Sequence, residues 1–132
     1  MSVIASAKVQ ALAEPWKGEV KSGSHQFLTD KPESLGGHDT GPAPYDFLTA
    51  SLASCTMITL RMYAQHKQIN LGDFSVEVDF YTNREQQEKM TRRIIFEQIP
   101  SPALQEKLLN VCSKTPVTKT LLRSLDIHTV IV

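Results

Sequence analysis

Between Pro44 and Gly72 the chain carries no glycine and no proline, and apolar side chains recur through this stretch at helical spacing. Leu48, Leu52, Cys55, Thr59 and Met62 are separated by 4, 3, 4 and 3 positions, which predicts one shared face of a helix of about six turns. Phe47, Ala50, Ala53, Met57, Ile58 and Leu60 occupy the other faces, so the helix is apolar nearly all round and is expected to be buried on every side. Pro42 and Pro44 lack a donor N–H and suit the entry of such a helix. Asp46 sets a negative charge in its first turn, against the positive end of the backbone dipole. A small chain can enclose a helix of this kind only with its own sheet and a second subunit, so a homodimer is expected. Thr49, Ser51, Ser54, Thr56, Thr59 and Arg61 interrupt the run, which never approaches the roughly 18–20 apolar residues of a membrane span.

Elsewhere the period is two. Val3, Ala5, Ala7, Val9 and Ala11 alternate with other side chains over residues 3–12, and 16–21 and 24–28 form two more short strand patterns around Ser22-Gly23. An antiparallel meander is therefore predicted at the N-terminus. Residues 30–43, rich in Gly, Pro, Asp and Ser, read as a loop. After the helix, Val76, Val78 and Phe80 alternate with Glu77, Asp79 and Tyr81, and Ile94 and Phe96 with Arg93 and Glu97. These two runs, joined by polar residues 83–89, predict a hairpin in which Glu77 or Asp79 pairs with Arg92 or Arg93. Ser101-Pro102 and Thr115-Pro116 each combine a capping residue with a first-turn proline, and predict two further helices. Leu104, Leu108, Val111, Cys112 and Thr115 keep helical spacing, which puts Cys112 on an apolar stripe. The β-branched end, residues 126–132, predicts a closing strand. The fold class is α+β, with one domain over residues 1–132.

Fourteen Lys and Arg balance fourteen Asp and Glu, so no net field draws the chain to nucleic acid or to an anionic membrane. Met1 to Ala13 holds Lys8 and Gln10 and no apolar run of signal-peptide length, so a cytoplasmic location is expected. In that compartment Cys55 and Cys112 are core, redox or catalytic residues rather than a structural staple.

The four histidines, 25, 38, 66 and 128, are scattered, and no close pair of His or Cys has the spacing of a metal site. No Gly-rich phosphate loop follows a strand, so neither metal nor cofactor is expected. Asp39-Thr40-Gly41 matches the tripeptide of aspartic proteases, but it follows Gly36-Gly37-His38 rather than an apolar strand and reads as a turn. A cysteine on an apolar helix face is commonly a small hydrophobe. To react, Cys55 must become a thiolate, and burial alone raises a thiol's pKa. The helix dipole fades within the first turn, so a cation must come from elsewhere: Arg92, Arg93, Arg123, Lys17 or Lys21.

Gly41-Pro42-Ala43-Pro44-Tyr45-Asp46-Phe47-Leu48, Ala53-Ser54-Cys55-Thr56 and Arg61-Met62-Tyr63-Ala64 together resemble the OsmC/Ohr family, the osmotically inducible and organic hydroperoxide resistance proteins. Thr115-Pro116-Val117-Thr118-Lys119-Thr120-Leu121 resembles the family's second motif, Cys-Pro-Val-x-Lys/Arg-Thr-Leu. The resemblance implies an intertwined homodimer with its central helices packed between sheets of both chains. It also implies a thiol-dependent peroxidase, in which Cys55 attacks an organic hydroperoxide and Cys112 or an external thiol resolves the sulfenic acid. An external dithiol would then restore the thiols. Asp46, Leu52 and Thr59 become candidate substrate-binding residues. The alternative is a non-catalytic dimer of the same fold holding a small apolar ligand between subunits. Three departures bear on the choice: Thr115 stands at the second-cysteine position, Tyr45 where peroxidase members carry Glu, and no Arg precedes Arg61.

Overall fold

The computed structural model describes all residues from Met1 to Val132. The chain divides into two compact units, Met1–Leu48 and Thr49–Val132, and the boundary falls inside the long helix. The first unit holds three antiparallel strands, β1 (Ala7–Ala11), β2 (Gly18–Ser22) and β3 (His25–Thr29), paired in that order. Val9 faces Val20, and Val20 faces Phe27, as the meander predicted. The β2–β3 link is a two-residue turn whose first residue, Gly23, has φ 59°, a conformation that costs glycine nothing. Phe27 stacks at a tilt on Phe47, ring centroids 5.6 Å apart.

One carboxylate organises the loop that follows. Asp30, only 3% exposed, accepts hydrogen bonds from the backbone N–H of Lys31 (2.8 Å), His38 (3.2 Å) and Thr40 (3.3 Å) and from the Thr40 hydroxyl (2.8 Å). Asp39-Thr40-Gly41 is therefore irregular loop, its Thr40 held on the Asp30 carboxylate, rather than the regular turn expected from its sequence context. Gly41 presses on β3 so closely that a Cβ there would lie 2.0 Å from the Leu28 carbonyl oxygen, so no side chain fits.

The long helix, α1 (Pro44–Lys67), continues through the second unit. Asp46 accepts a hydrogen bond from the Ala43 N–H at 2.9 Å and so closes the helix entry. At the far end Gln68 adopts φ 55°, the Ile69 N–H reaches the Ala64 carbonyl at 2.8 Å, and the Gln68 N–H reaches Gln65 at 3.2 Å. This is the Schellman arrangement with glutamine at the position that glycine usually holds.

The buried row of α1 differs from the expected one. Leu52, Thr56, Leu60 and Ala64, at strict four-residue intervals, face inward within this unit, and Cys55 and Thr59 are only half-buried. Thr56 looks polar in sequence, yet its hydroxyl donates to the Leu52 carbonyl at 2.7 Å and so can be buried in this row at no hydrogen-bonding cost. Within the chain the helix is not covered all round: Met57, Ile58 and Met62 are 36%, 51% and 64% exposed.

Beside this row run β4 (Phe74–Thr82) and β5 (Glu88–Phe96), an antiparallel hairpin in which Glu77 faces Arg93 and Val78 faces Arg92. Arg93 forms the expected ion pair with Glu77 on the outer face. Helix α2 (Pro102–Cys112) is capped by the Ser101 hydroxyl, which accepts from the Leu104 N–H at 3.3 Å. Leu60, Ala64, Leu71, Leu108 and Cys112 form the core of this unit, with Phe74, Ile94 and Phe96 packed on it. The helix does not run on through Thr115. It stops at Cys112, and α3 (Pro116–Leu121) starts anew with Thr115 as its cap. Residues 126–132 form no strand, because no edge of their own chain pairs with them. No helix is long and apolar enough to cross a membrane.

The hydrogen bonds to Asp30, that of the Thr40 hydroxyl foremost, hold its carboxyl below the usual carboxylate range. A depressed folded-state pKa stabilises the protein above the unfolded value of about 3.9 and loses that contribution as pH falls through the folded value. Asp30→Asn is therefore expected to lower the thermal midpoint at neutral pH, with the deficit against wild type shrinking below about pH 4. Thermal melts of both proteins across pH check this; a deficit that stays constant into acid would refute it.

Candidate active site

Four elements of the second unit converge on one guanidinium. Arg92 lies on β5 with the parity of Met90, Ile94 and Phe96, so the pleat turns it inward; the other charged residue of that parity, Glu88, is exposed at the turn end of the hairpin. Its Nη1 donates to the hydroxyls of Thr56 on α1 and Thr118 on α3, each at 2.9 Å. Its Nη2 donates to the carbonyl of Cys112, the last residue of α2, at 3.0 Å. That carbonyl has no partner within its own helix and carries the negative end of the helix dipole, so the cation meets it on both counts.

A short hydroxyl chain completes the arrangement. Thr115, fully buried, shares a 2.6 Å hydrogen bond with the Thr118 hydroxyl and accepts the Thr118 N–H at 3.3 Å. The Thr118 hydroxyl in turn donates to the Cys112 carbonyl at 3.2 Å. Threonine thus stands at the second-cysteine position of the family's motif as a helix cap and a link in the Arg92 network. No carboxylate neutralises Arg92, since the chain's ion pair is the one between Arg93 and Glu77.

The two thiols are both free and differ in setting. Cys112 is 3% exposed; burial pushes its thiol pKa up, and the Arg92 charge works against that rise. Cys55 is half-buried, with its Sγ 4.0 Å from the Thr59 hydroxyl, which donates to the Cys55 carbonyl at 2.7 Å. Arg92 reaches the residue after Cys55, Thr56, rather than the sulfur's own neighbour Thr59. Of the other sequence candidates, Leu52 is buried one turn before Thr56, Asp46 is engaged at the helix entry in the first unit, and the Arg123 Nε donates to the Lys119 carbonyl at 3.1 Å. Lys17 and Lys21 belong to the first unit.

Sequence reasoning named Arg92 among five possible cations and missed Thr56, Thr115 and Thr118 as its partners. The parity that Arg92 shares with Ile94 and Phe96 was the available signal. A lone arginine on an apolar strand face needs buried acceptors.

Comparison with known proteins agrees with this architecture. The family model for OsmC-like proteins matches residues 37–130, and the chain belongs to that family. No curated protein matches it. Among solved structures, an osmotic stress-induced and detoxification response protein from Psychrobacter arcticus aligns with a TM-score of 0.75 at 21% identity, over 91% of this chain and 90% of that one. An organic hydroperoxide resistance protein from Legionella pneumophila aligns with a TM-score of 0.66 at 20% identity, over 90% and 89%. An OsmC-like protein from Mycoplasma pneumoniae reaches 0.70 at 18% identity, over 92% and 89%. The fold is therefore that of OsmC/Ohr proteins.

The burial of Cys112, which also raises its thiol pKa, orders the reactivity of the two cysteines. At pH 7 iodoacetamide is expected to alkylate Cys55 before Cys112 in the folded protein, and both together in guanidinium. Peptide mass spectrometry over time checks this; equal folded-state rates would contradict the burial of Cys112.

Proposed function

We propose that this chain is a thiol-dependent reductase of organic hydroperoxides, acting as one OsmC-like domain in a homodimer. One observation carries the reading: an arginine without a carboxylate partner is fixed between the helix that bears Cys55 and the helix end that bears Cys112. A guanidinium held in a largely apolar interior favours a thiolate nearby, which is the state the reaction requires. The solved relatives named as organic hydroperoxide resistance proteins support the substrate class.

Cys55 is the attacking sulfur, because it is the more exposed of the two. Its thiolate displaces on the terminal peroxide oxygen; the S–O bond forms, the O–O bond breaks, and the leaving alkoxide takes a proton to become the alcohol. The sulfenic acid then condenses with a second thiol, of Cys112 or of an external donor, to give a disulfide and water. An external dithiol reduces that disulfide by exchange. Leu52 and Thr59 flank Cys55 on α1, and the Thr59 hydroxyl, whose own proton goes to the Cys55 carbonyl, is proposed to accept the peroxide's O–H. Asp46 orders the entry of the helix that carries them.

One equivalent of an alkyl hydroperoxide is expected to consume thiols of the reduced protein within minutes, and to consume none in Cys55→Ser. Thiol counts by a chromogenic disulfide reagent check this. No loss in wild type, or loss that persists in Cys55→Ser, would end the assignment.

The dimer has its own support in the exposed Ile58 and Met62, one turn apart on α1, and in the unpaired, β-branched residues 126–132. Light scattering is expected to return twice the 14.7 kDa chain mass, and single-chain mass for the double variant Ile58→Glu, Met62→Glu. A wild-type protein at single-chain mass would refute this part.

A further inference from the structure

Arg92 also borders an open cavity of about 360 Å³ lined by β5, α2 and the inner face of α1. Its wall is otherwise apolar, with Leu60, Ile94, Phe96, Ile99, Leu108 and Leu109 contributing most of it. The volume falls in the range of small-molecule sites. Arg92 is the one charged residue of the lining.

The guanidinium has spare donors. Of its five N–H groups, Nη1 uses two on Thr56 and Thr118, and Nη2 uses one on Cys112. The Nε–H and the second Nη2–H donate to no protein atom. No buried side-chain nitrogen in the structure is left unpaired, so the Nε is open to solvent-accessible space rather than sealed in the wall. Nε and Nη2 together form the side-on edge of the fork, whose spacing matches the two oxygens of a carboxylate. The other edge is anchored by three hydrogen bonds, so the free edge is held in a fixed direction at no further entropic cost.

We propose that this cavity binds a small amphipathic monocarboxylate, its carboxylate on the Nε–Nη2 edge of Arg92 and its hydrocarbon body along the Ile94–Phe96–Leu108 wall. Two features select this chemistry. A half-buried cation without a counter-ion is poorly solvated and gains most from an anion that reaches it. An apolar wall around a single cation accepts a hydrocarbon body and rejects a polyanion, whose further charges would find no donors. Gln105 adds no competing charge, and its amide is engaged with the Pro100 carbonyl at 2.7 Å. The site requires no reaction at either sulfur, so it stands or falls separately from the peroxidase reading although both involve Arg92.

Isothermal titration calorimetry on full-length Cys55→Ser, which removes the attacking thiol, tests it with octanoate, octanol and octylamine as probes. Octanoate is expected to bind saturably at one per chain, about tenfold or more tighter than octanol, and octylamine not at all. Arg92→Met is expected to erase the preference for octanoate over octanol. Should that variant fail to fold, Leu109→Trp, at an exposed wall position, carries the test by filling the cavity and abolishing octanoate binding with Arg92 intact. Equal affinity for octanoate and octanol, no saturable octanoate heat, or undiminished octanoate binding in Leu109→Trp would overturn the proposal. A cavity filled by a side chain of a second copy would appear as the second of these outcomes.

Discussion

The second unit depends on one half-buried cation being satisfied by oxygen atoms rather than by an acid. Arg92 ties the middle of β5 to α1, to the C-terminal end of α2 and to α3 through three hydrogen bonds. An ion pair would do this at the cost of removing two charges from water, a cost that burial often fails to recover. Two threonine hydroxyls and a helix-terminal carbonyl spread the charge over dipoles already oriented toward it. The carbonyl end of a helix alone contributes on the order of 0.3–1 kcal/mol to a cation, and more when partly buried. Replacing such a group by a well-packed hydrocarbon is often neutral or stabilising, so cohesion by itself does not account for an arginine here. What the charge adds is a positive potential at the Cys112 thiol and along a cavity wall.

Much of this was legible in the chain, and the misses share a cause. The prolines before α1 and the absence of glycine within it fixed the helix, and the two-residue alternation fixed the hairpin and its Glu77–Arg93 pair. The meander followed from the same alternation around Gly23. Spacing put Cys55 and Thr59 on one face of α1 without marking which face packs within the chain; the row through Thr56 does, its hydroxyl consumed by the Leu52 carbonyl. A shift from Cys55 to Thr56 is 100° of helix rotation, enough to exchange a core residue for a half-exposed one. Arg92 shows the converse error. Its parity placed it inside, but charge invited the assumption that it pairs with an acid. Residues 126–132 have strand composition and no strand, because composition specifies willingness to pair and no edge of their own chain takes them up.

Thr115 illustrates how a motif can keep its geometry while exchanging its chemistry. A residue immediately before Pro116 must close the first turn of α3, and a threonine hydroxyl accepts the Thr118 N–H there in a way a thiol does only weakly. The same hydroxyl feeds the Thr118–Cys112–Arg92 network. The nearest thiol, Cys112, lies one turn back, at the end of α2.

That displacement sets a mechanical condition on any use of Cys112 as a resolving thiol. A disulfide needs Cα atoms within about 7 Å and converging Cβ atoms, whereas Cys112 is buried in the core and its carbonyl is held by both Arg92 and Thr118. Bringing its sulfur to Cys55 means loosening the corner at residues 113–115, where α2 ends and α3 has not begun. Oxidation at Cys55 would have to supply the free energy for breaking those bonds, or an external thiol would arrive first. In the proposed peroxidase cycle, the oxygen network that makes Arg92 tolerable in the interior would therefore also decide between an internal and an external resolving thiol.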